Sequence, residues 1–373
     1  MTTIKIHSSI TEISPIAWNK LIKDQFLLSH EFLACMETNQ CIGDHFGWIT
    51  RIIALYQNDH LMAVMPLYKK YNNYGEFVFD YAWADAFEQS GLPYYPKLVS
   101  TIPYTPATGQ RLLAVDNQSR ILLLAAVKAY TKEAKLSGLH SLFFPVSELK
   151  YYQAQDFCFR QDIQYHWHNQ NYSDFNDFLS RLLRRKRKNI LQERRRVQQA
   201  GVQIRVLKGD QANKTDWQNF NYFYQKTFIQ KSGTATFNQA FFIEIAQKKP
   251  ENILLVLADL NQKCIAGALM YISGETLYGR HWGCIEEVNS LHFELCYYQG
   301  IEYCIKHGLQ YFEPGAQGQH KIARGFMPTL VHSAHYLTDE RFHQAISQWC
   351  EAESQAVNEY YKELQNQSPY SGN

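Results

Sequence analysis

Two stretches in the last third of the chain hold polar residues placed where they could take up a proton or hold an anion. TLYGRHWGC, residues 276 to 284, alternates as a strand that would set Gly279, His281 and Gly283 on one face. Two glycines beside a histidine would leave bare backbone next to a polar side chain, for a close ligand or a tight packing contact. FEPGAQGQHKIARGF, residues 312 to 326, leaves a strand through Glu313, crosses turn residues and delivers His320, Lys321 and Arg324. A carboxylate at a strand end followed by a basic cluster combines a base with an anion clamp. The plain alternative is a loop in which Glu313 pairs with Arg324. His292 and Glu294 lie just upstream, on a helix that would face the same space.

A third stretch, FLSRLLRRKRKNILQERRRVQQAG, supplies positive charge. Between Arg181 and Arg196 it holds nine Lys or Arg and one acid, Glu193, a net of +8, while the whole chain carries +2. Read as one helix over 174–200, it places Leu179, Leu182, Leu183, Ile190 and Val197 on a narrow apolar stripe. Arg185 and Lys188 fall with the exposed cations, and Lys186 falls near the centre of the stripe. The run is either a solvated face or a docking surface for phosphates. Lys186 either snorkels from the stripe or enters a site.

The elements that must position these residues read as a duplication. DHLMAVMPLY, ending at Tyr68, matches QKCIAGALMY, ending at Tyr271, and SGLHSLFFP matches HGLQYFEPG. Each copy reads as strand, strand, helix, strand, which gives an α/β (α+β) class with helices on a mixed sheet. The expected domains are 1–165 and 166–373, the second carrying the site and a C-terminal helix. In the first, GEFVFDYAW (75–83) is expected as a strand and the Pro/Tyr-rich segment 91–111 as an inserted loop. FFPVSELKYY puts Phe144 where the second copy has Glu313, so a degenerate copy would be the first.

Composition narrows the class. With 373 residues, 46% hydrophobic and 14% aromatic, the chain can build two cores. No apolar run reaches the roughly 18 residues of a membrane span, and the start lacks a signal pattern, so a cytoplasmic location is expected. Eight scattered cysteines without a CxxC pair suit free thiols, and no metal site is expected. His166 and His168 read as two residues on one strand face.

SRLLRRKRKNILQERRRVQQAGVQIRVL and YFEPGAQGQHKIARGF resemble segments of the FemAB-like acyltransferases, with Gly325-Phe326 in reversed order. GEFVFDYAWADAF, YYPKL, PYTPATGQRLL and LYGRHWGC resemble a bacterial branch of predicted N-acyltransferases described as peptidoglycan-related. The resemblance implies two tandem GNAT-like (acyl-CoA N-acyltransferase) domains. It implies transfer of an acyl or aminoacyl group from a thioester or ester donor to a small-molecule or peptide-like amine. Acyl-CoA or aminoacyl-tRNA would be a co-substrate rather than a bound cofactor, making tRNA one candidate partner. Lys321 matches the family lysine that steadies charge at the reacting carbonyl. On that basis Glu313 or His281 is the expected base, and backbone N–H groups near Gly279 and Gly283 help Lys321 with the oxyanion. Lys186 with Arg185 or Lys188 is expected to hold donor phosphates, with His320, Arg324 and His292 lining the site. IEEVNSLHF stands where GNAT enzymes carry a glycine-rich pyrophosphate loop, which speaks against a usual CoA site. The competing class is a non-catalytic binder of RNA or a cell-wall fragment, using the basic helix and an aromatic groove.

Overall fold

The computed structural model describes residues 2–316 and 318–371; Gln317, inside the 312–326 motif, lies outside them. The chain forms two compact units, Met1–Ile163 with Leu330–Tyr360, and Gln164–Thr329 with Tyr361–Asn373. The second stretch of each pairing separates this grouping from the expected 165/166 division: residues 330–360 pack with the first unit.

In the first unit, β1 (Thr2–His7) is followed by α1 (Pro15–Ile22) and α2 (His30–Thr38). Ser14 and Ser29 cap the two helices, accepting the N–H groups of Ala17 and Phe32. β2 (Trp48–Thr50), β3 (Ile52–Gln57), β4 (His60–Met65) and β5 (Tyr68–Lys70) come next. Then follow α3 (Tyr81–Gln89), β6 (Lys97–Ser100), β7 (Leu113–Ala114), α4 (Asn117–Glu133), β8 (Gly138–Phe144) and α5 (Leu149–Gln153). One antiparallel sheet runs β1-β3-β4-β7, and a second joins β8, β6, β5 and β2 with β8 parallel to β6. Apolar residues including Ile53, Met65, Leu98, Leu123 and Leu139 form its core.

Two expectations for this unit are corrected. Residues 75–80 are not a strand, because Gly75 and Phe77 take positive φ (79° and 61°). That backbone buries Glu76 and Asp80 together against Lys97, at 2.8 Å for Glu76, so the alternating acids answer to a buried lysine instead of solvent. Segment 91–111 is not simply an inserted loop, since it contains β6, whose four residues are fully buried. Its prolines at 93, 96, 103 and 106 flank this strand without interrupting the ladder.

β9 (Cys158–His168) leads into the second unit, followed by α6 (Phe175–Ser180), α7 (Arg184–Gln199) and β10 (Gln203–Lys208). Next come α8 (Lys214–Gln230), α9 (Gln239–Lys248), β11 (Ile253–Leu260), β12 (Lys263–Ser273) and β13 (Thr276–Cys284). α10 (Leu291–Phe293) continues through a π-helical stretch, Glu294–Tyr298, into α11 (Gln299–His307), and β14 (Tyr311–Glu313) follows. The sheet runs β10-β11-β12-β13-β14-β9, antiparallel except for the parallel pair β13/β14. That parallel pair sits as β6/β8 does in the first unit, the structural counterpart of the sequence repeat.

The single helix expected over 174–200 is two helices. Backbone groups of residues 181–183 are taken by the tail: Leu183 N–H bonds the Pro369 carbonyl, Leu182 bridges Tyr370, and Ser371 N–H bonds the Arg181 carbonyl. Leu183 therefore leaves the apolar stripe and is 43% exposed, while Ile190 and Val197 stay buried. β15 (Met327–Leu337) and α12 (Glu340–Gln365) close the chain, and β15 pairs antiparallel with β8 in the first unit. β10 and β15 have no counterpart in the sequence reading.

Candidate active site

The site builds from a bulge. β12 pairs Met270 with Gly279 but Leu269 with His281, so Arg280 is an extra residue in β13. The bulge reverses the alternation, and the expected common face of Gly279, His281 and Gly283 is not formed. A Cβ on Gly279 would meet Pro314 at 3.2 Å and Phe312 at 3.3 Å. One on Gly283 would meet the Phe223 carbonyl of α8 at 2.2 Å. Both glycines are thus fixed by packing. His281 turns toward α8 and α9, with ring centroids of Tyr224 and Phe237 at 4.9 and 5.1 Å, and burial pushes its pKa well down.

Past Tyr278 and Glu313 the parallel pair ends. The opening between β13 and Pro314 is a cavity of about 140 Å³, lined by Gly279, Arg280, His281, His292, Cys296 and Pro314 among others. Cys296 belongs to the π-helical stretch, an irregularity found often at functional sites. Burial holds the His292 imidazole down to about 4, so it is neutral at pH 7. Glu313 lies on the sheet face of Tyr278, its carboxylate 3.9 Å from His166. Burial drives His166 down to about 3. His168 shares that strand face and packs on Tyr311 at 5.1 Å.

Lys321 lies on a short 3-10 turn, Gln319–Arg324, and is 3% exposed. Its Nζ donates to the Gly315 carbonyl at 2.7 Å, next to the cavity wall at Pro314. Desolvation pushes its pKa down to about 8. His320 Nε2 lies 3.1 Å from the Tyr297 hydroxyl. Arg324 does not pair with Glu313. Its Nη2 and Nε donate to Glu193 at 2.7 and 3.2 Å, its Nη1 donates to the His320 carbonyl at 2.9 Å, and the guanidinium lies 3.5 Å over Phe293. Tyr298 also donates to Glu193. The one acid of the basic run thus ties α7 to the Lys321 turn, and its isolation among nine cations was the legible signal for it. Arg280, Cys296, Tyr297 and Tyr298 carried no such signal, because a bulge and a π-turn shift side chains off the regular repeat.

The next residue of α7, Arg194, pairs with Glu294 and Glu302 at 3.1 and 2.8 Å. Arg184, Arg185, Lys186, Arg187 and Lys188 form no ion pair among the described residues. They crowd the start of α7, where Leu183 gives no side-chain cap and the first turn holds no acid. Five cations at the positive end of a helix dipole oppose that dipole, an arrangement that a bound anion would relieve. Lys186 is half-buried and Arg185 and Lys188 are exposed. In the β13–α10 connection, Glu286 and Glu287 precede Ser290, which stands before α10 and gives no side-chain cap. Among the described residues no group of three or more His, Cys, Asp or Glu could hold a metal, and all eight cysteines are free.

In the first unit the matching opening beside β8 is filled from within the chain. Arg111 Nε donates to the Leu142 carbonyl at 2.7 Å and Gly109 N–H to that of Phe143 at 3.0 Å. Buried Glu148 accepts the N–H groups of Arg111 and Leu112.

The model of the FemAB-like family, described as peptidoglycan biosynthesis/recognition, matches residues 9–372. No curated protein sequence matches significantly. The crystal structure of FemX is similar at TM-score 0.52 and 13% identity, covering 93% of this chain and 100% of that one. The C-terminal domain of a putative lysylphosphatidylglycerol synthetase from Agrobacterium fabrum gives TM-score 0.57 and 7% identity, covering 91% and 96%. L-PGS from Bacillus licheniformis gives 0.56 and 7%, covering 91% and 95%. At these identities the likeness concerns the fold, and the expected α/β class, with helices on mixed sheets in two units, holds. No helix among the described residues is long and apolar enough to cross a membrane.

Proposed function

The chain belongs to the FemAB-like family, and on that premise we propose that it transfers an acyl or aminoacyl group to an amine at the β13/β14 opening. The observation that carries this reading is Lys321, a buried amine on a carbonyl beside the cavity, with a pKa brought down to about 8. The acceptor nitrogen attacks the donor carbonyl, Lys321 in its charged form faces the developing oxyanion, and collapse expels the donor's thiolate or alkoxide. A base takes the proton from the nitrogen. Two groups stand near enough for that role: Glu313, at the end of β14, and His281, which lines the cavity while packing on Tyr224 and Phe237. The free cations at the start of α7, Lys186 with Arg185 and Lys188, hold the donor's phosphates.

Glu286 and Glu287 favour an aminoacyl ester on RNA over a CoA thioester as donor. The acceptor is a peptide-like amine, as the family's description suggests. A transfer assay with a lysine-containing peptide tests this, reading amide product by mass from acetyl-CoA and from aminoacyl-tRNA separately. Product is expected from the tRNA donor. Lys186→Glu with Arg185→Glu should raise the donor KM and flatten its salt dependence. Full turnover retained in both Glu313→Gln and Lys321→Ala contradicts the assignment. RNA binding with a steep salt slope but no product from either donor would instead select the non-catalytic binder.

A further inference from the structure

A second cavity, of about 180 Å³, lies wholly within the first unit and takes no part in the transfer chemistry above. Its floor is Phe143, an extra residue in β8 opposite the His332/Ser333 step of β15, held at φ +55°. A buried phenylalanine in left-handed backbone is costly, and such positions cluster where a ligand is held. Its rim is Phe79, 53% exposed and stacked in parallel on Tyr81 at 5.8 Å. Exposed parallel rings present a flat apolar platform to whatever enters.

The polar wall narrows the ligand. Arg160 is spent: two nitrogens donate to Glu353 at 2.7 Å each and a third to the Phe79 carbonyl at 2.8 Å. The pair cancels and burial keeps His332 neutral, leaving Asp162 as the acid of the wall; one of its oxygens accepts the Ile163 N–H at 2.7 Å, and burial raises its pKa above the usual aspartate value. A phosphate or carboxylate ligand would meet a like charge. Gln161 offers its amide oxygen to Asn358 at 2.7 Å, so its NH₂ still needs an acceptor. An ammonium ion has no acceptor to give. A hydroxyl donates to the Asp162 carboxylate and accepts from the Gln161 amide at once. The volume lies below the roughly 300–1,000 Å³ of whole-ligand pockets, which suits one ring and not a nucleotide.

We propose that this cavity binds one neutral, hydroxyl-bearing ring of the pyranose class, its apolar face on Phe79 and its hydroxyls on Asp162 and Gln161. Saturation-transfer NMR on the full chain tests it with methyl glucoside, N-acetylglucosamine, glucose 6-phosphate and methylammonium at millimolar concentration. A neutral sugar gives signal, glucose 6-phosphate gives less, and methylammonium gives none. Phe79→Ala and Asp162→Ala each weaken the sugar about tenfold, with melting temperatures unchanged because both side chains are at the surface. Asp162→Asn narrows the gap between the neutral sugar and its phosphate. Absence of signal from both neutral sugars, binding in Phe79→Ala and Asp162→Ala equal to that of the natural chain, or competition by methylammonium overturns the proposal.

Discussion

Lys321 is placed by a turn that hides its amine without giving it a carboxylate, and this fixes how it should respond to pH. Burial disfavours the charged form, so the proton leaves at about 8 instead of near the usual 10.4. If the charged form steadies the oxyanion, the rate of the transfer step falls as pH rises through about 8. A pH–rate profile flat from 7 to 9.5 would remove Lys321 from that role. Gly283 makes a packing prediction. A methyl group there would run into the Phe223 carbonyl, so Gly283→Ala should cost about 1–3 kcal/mol, measured by denaturant unfolding. Lys321 and Glu313 were legible because turn chemistry and charge mark them in the motif. The facing of Gly279 and His281 was not, since one extra residue in β13 reverses every side chain beyond it.

α7 is held by its second half and carries its free charge in its first. Glu193 and Arg324 are both mostly buried and share two hydrogen bonds. Glu193→Ala leaves Arg324 buried without its partner, a loss of about 3–5 kcal/mol, and should slow transfer by loosening the Lys321 turn. The double variant Glu193→Ala with Arg324→Ala should lose less than the sum of the single losses, as contacting residues do. Strict additivity in unfolding titrations would show that the pair does not act as a clamp. Helical periodicity put Lys186 near the centre of the apolar stripe, and the structure leaves it half-buried, as it does Arg187. Periodicity missed the break at 181–183, because the partner is a tail segment far along the chain whose pairing leaves no local trace. The same limit hid β6, whose LVS core was masked by flanking prolines, and turned 75–83 into an apparent strand.

At the scale of the molecule, both units bury uncharged histidines. His140 and His335 share an Nδ1–Nδ1 hydrogen bond of 2.7 Å, which needs one proton between the two nitrogens. Burial lowers both well below the usual value. His166, His281 and His292 do the same in the second unit. The unfolded chain takes up protons at these sites below about 6.5 while the folded chain does not. Each histidine therefore removes about 1.4 kcal/mol per pH unit as pH falls below that value, down to its folded pKa. The melting temperature should drop between pH 7 and 5, and a drop absent in that window would show these rings reach solvent. The duplication itself was legible, since turn-then-strand and Gly-Leu-strand patterns repeat locally. The return of 330–360 to the first unit was not, because pairing of β15 with β8 is set by tertiary contact alone. The central claim is that Lys321 stabilises a transfer transition state, and single-turnover rapid quench at saturating donor tests it most directly. The account predicts that Lys321→Ala forms amide product about 100-fold or more slowly than the natural chain, with donor affinity unchanged. An equal single-turnover rate in the two proteins would contradict it.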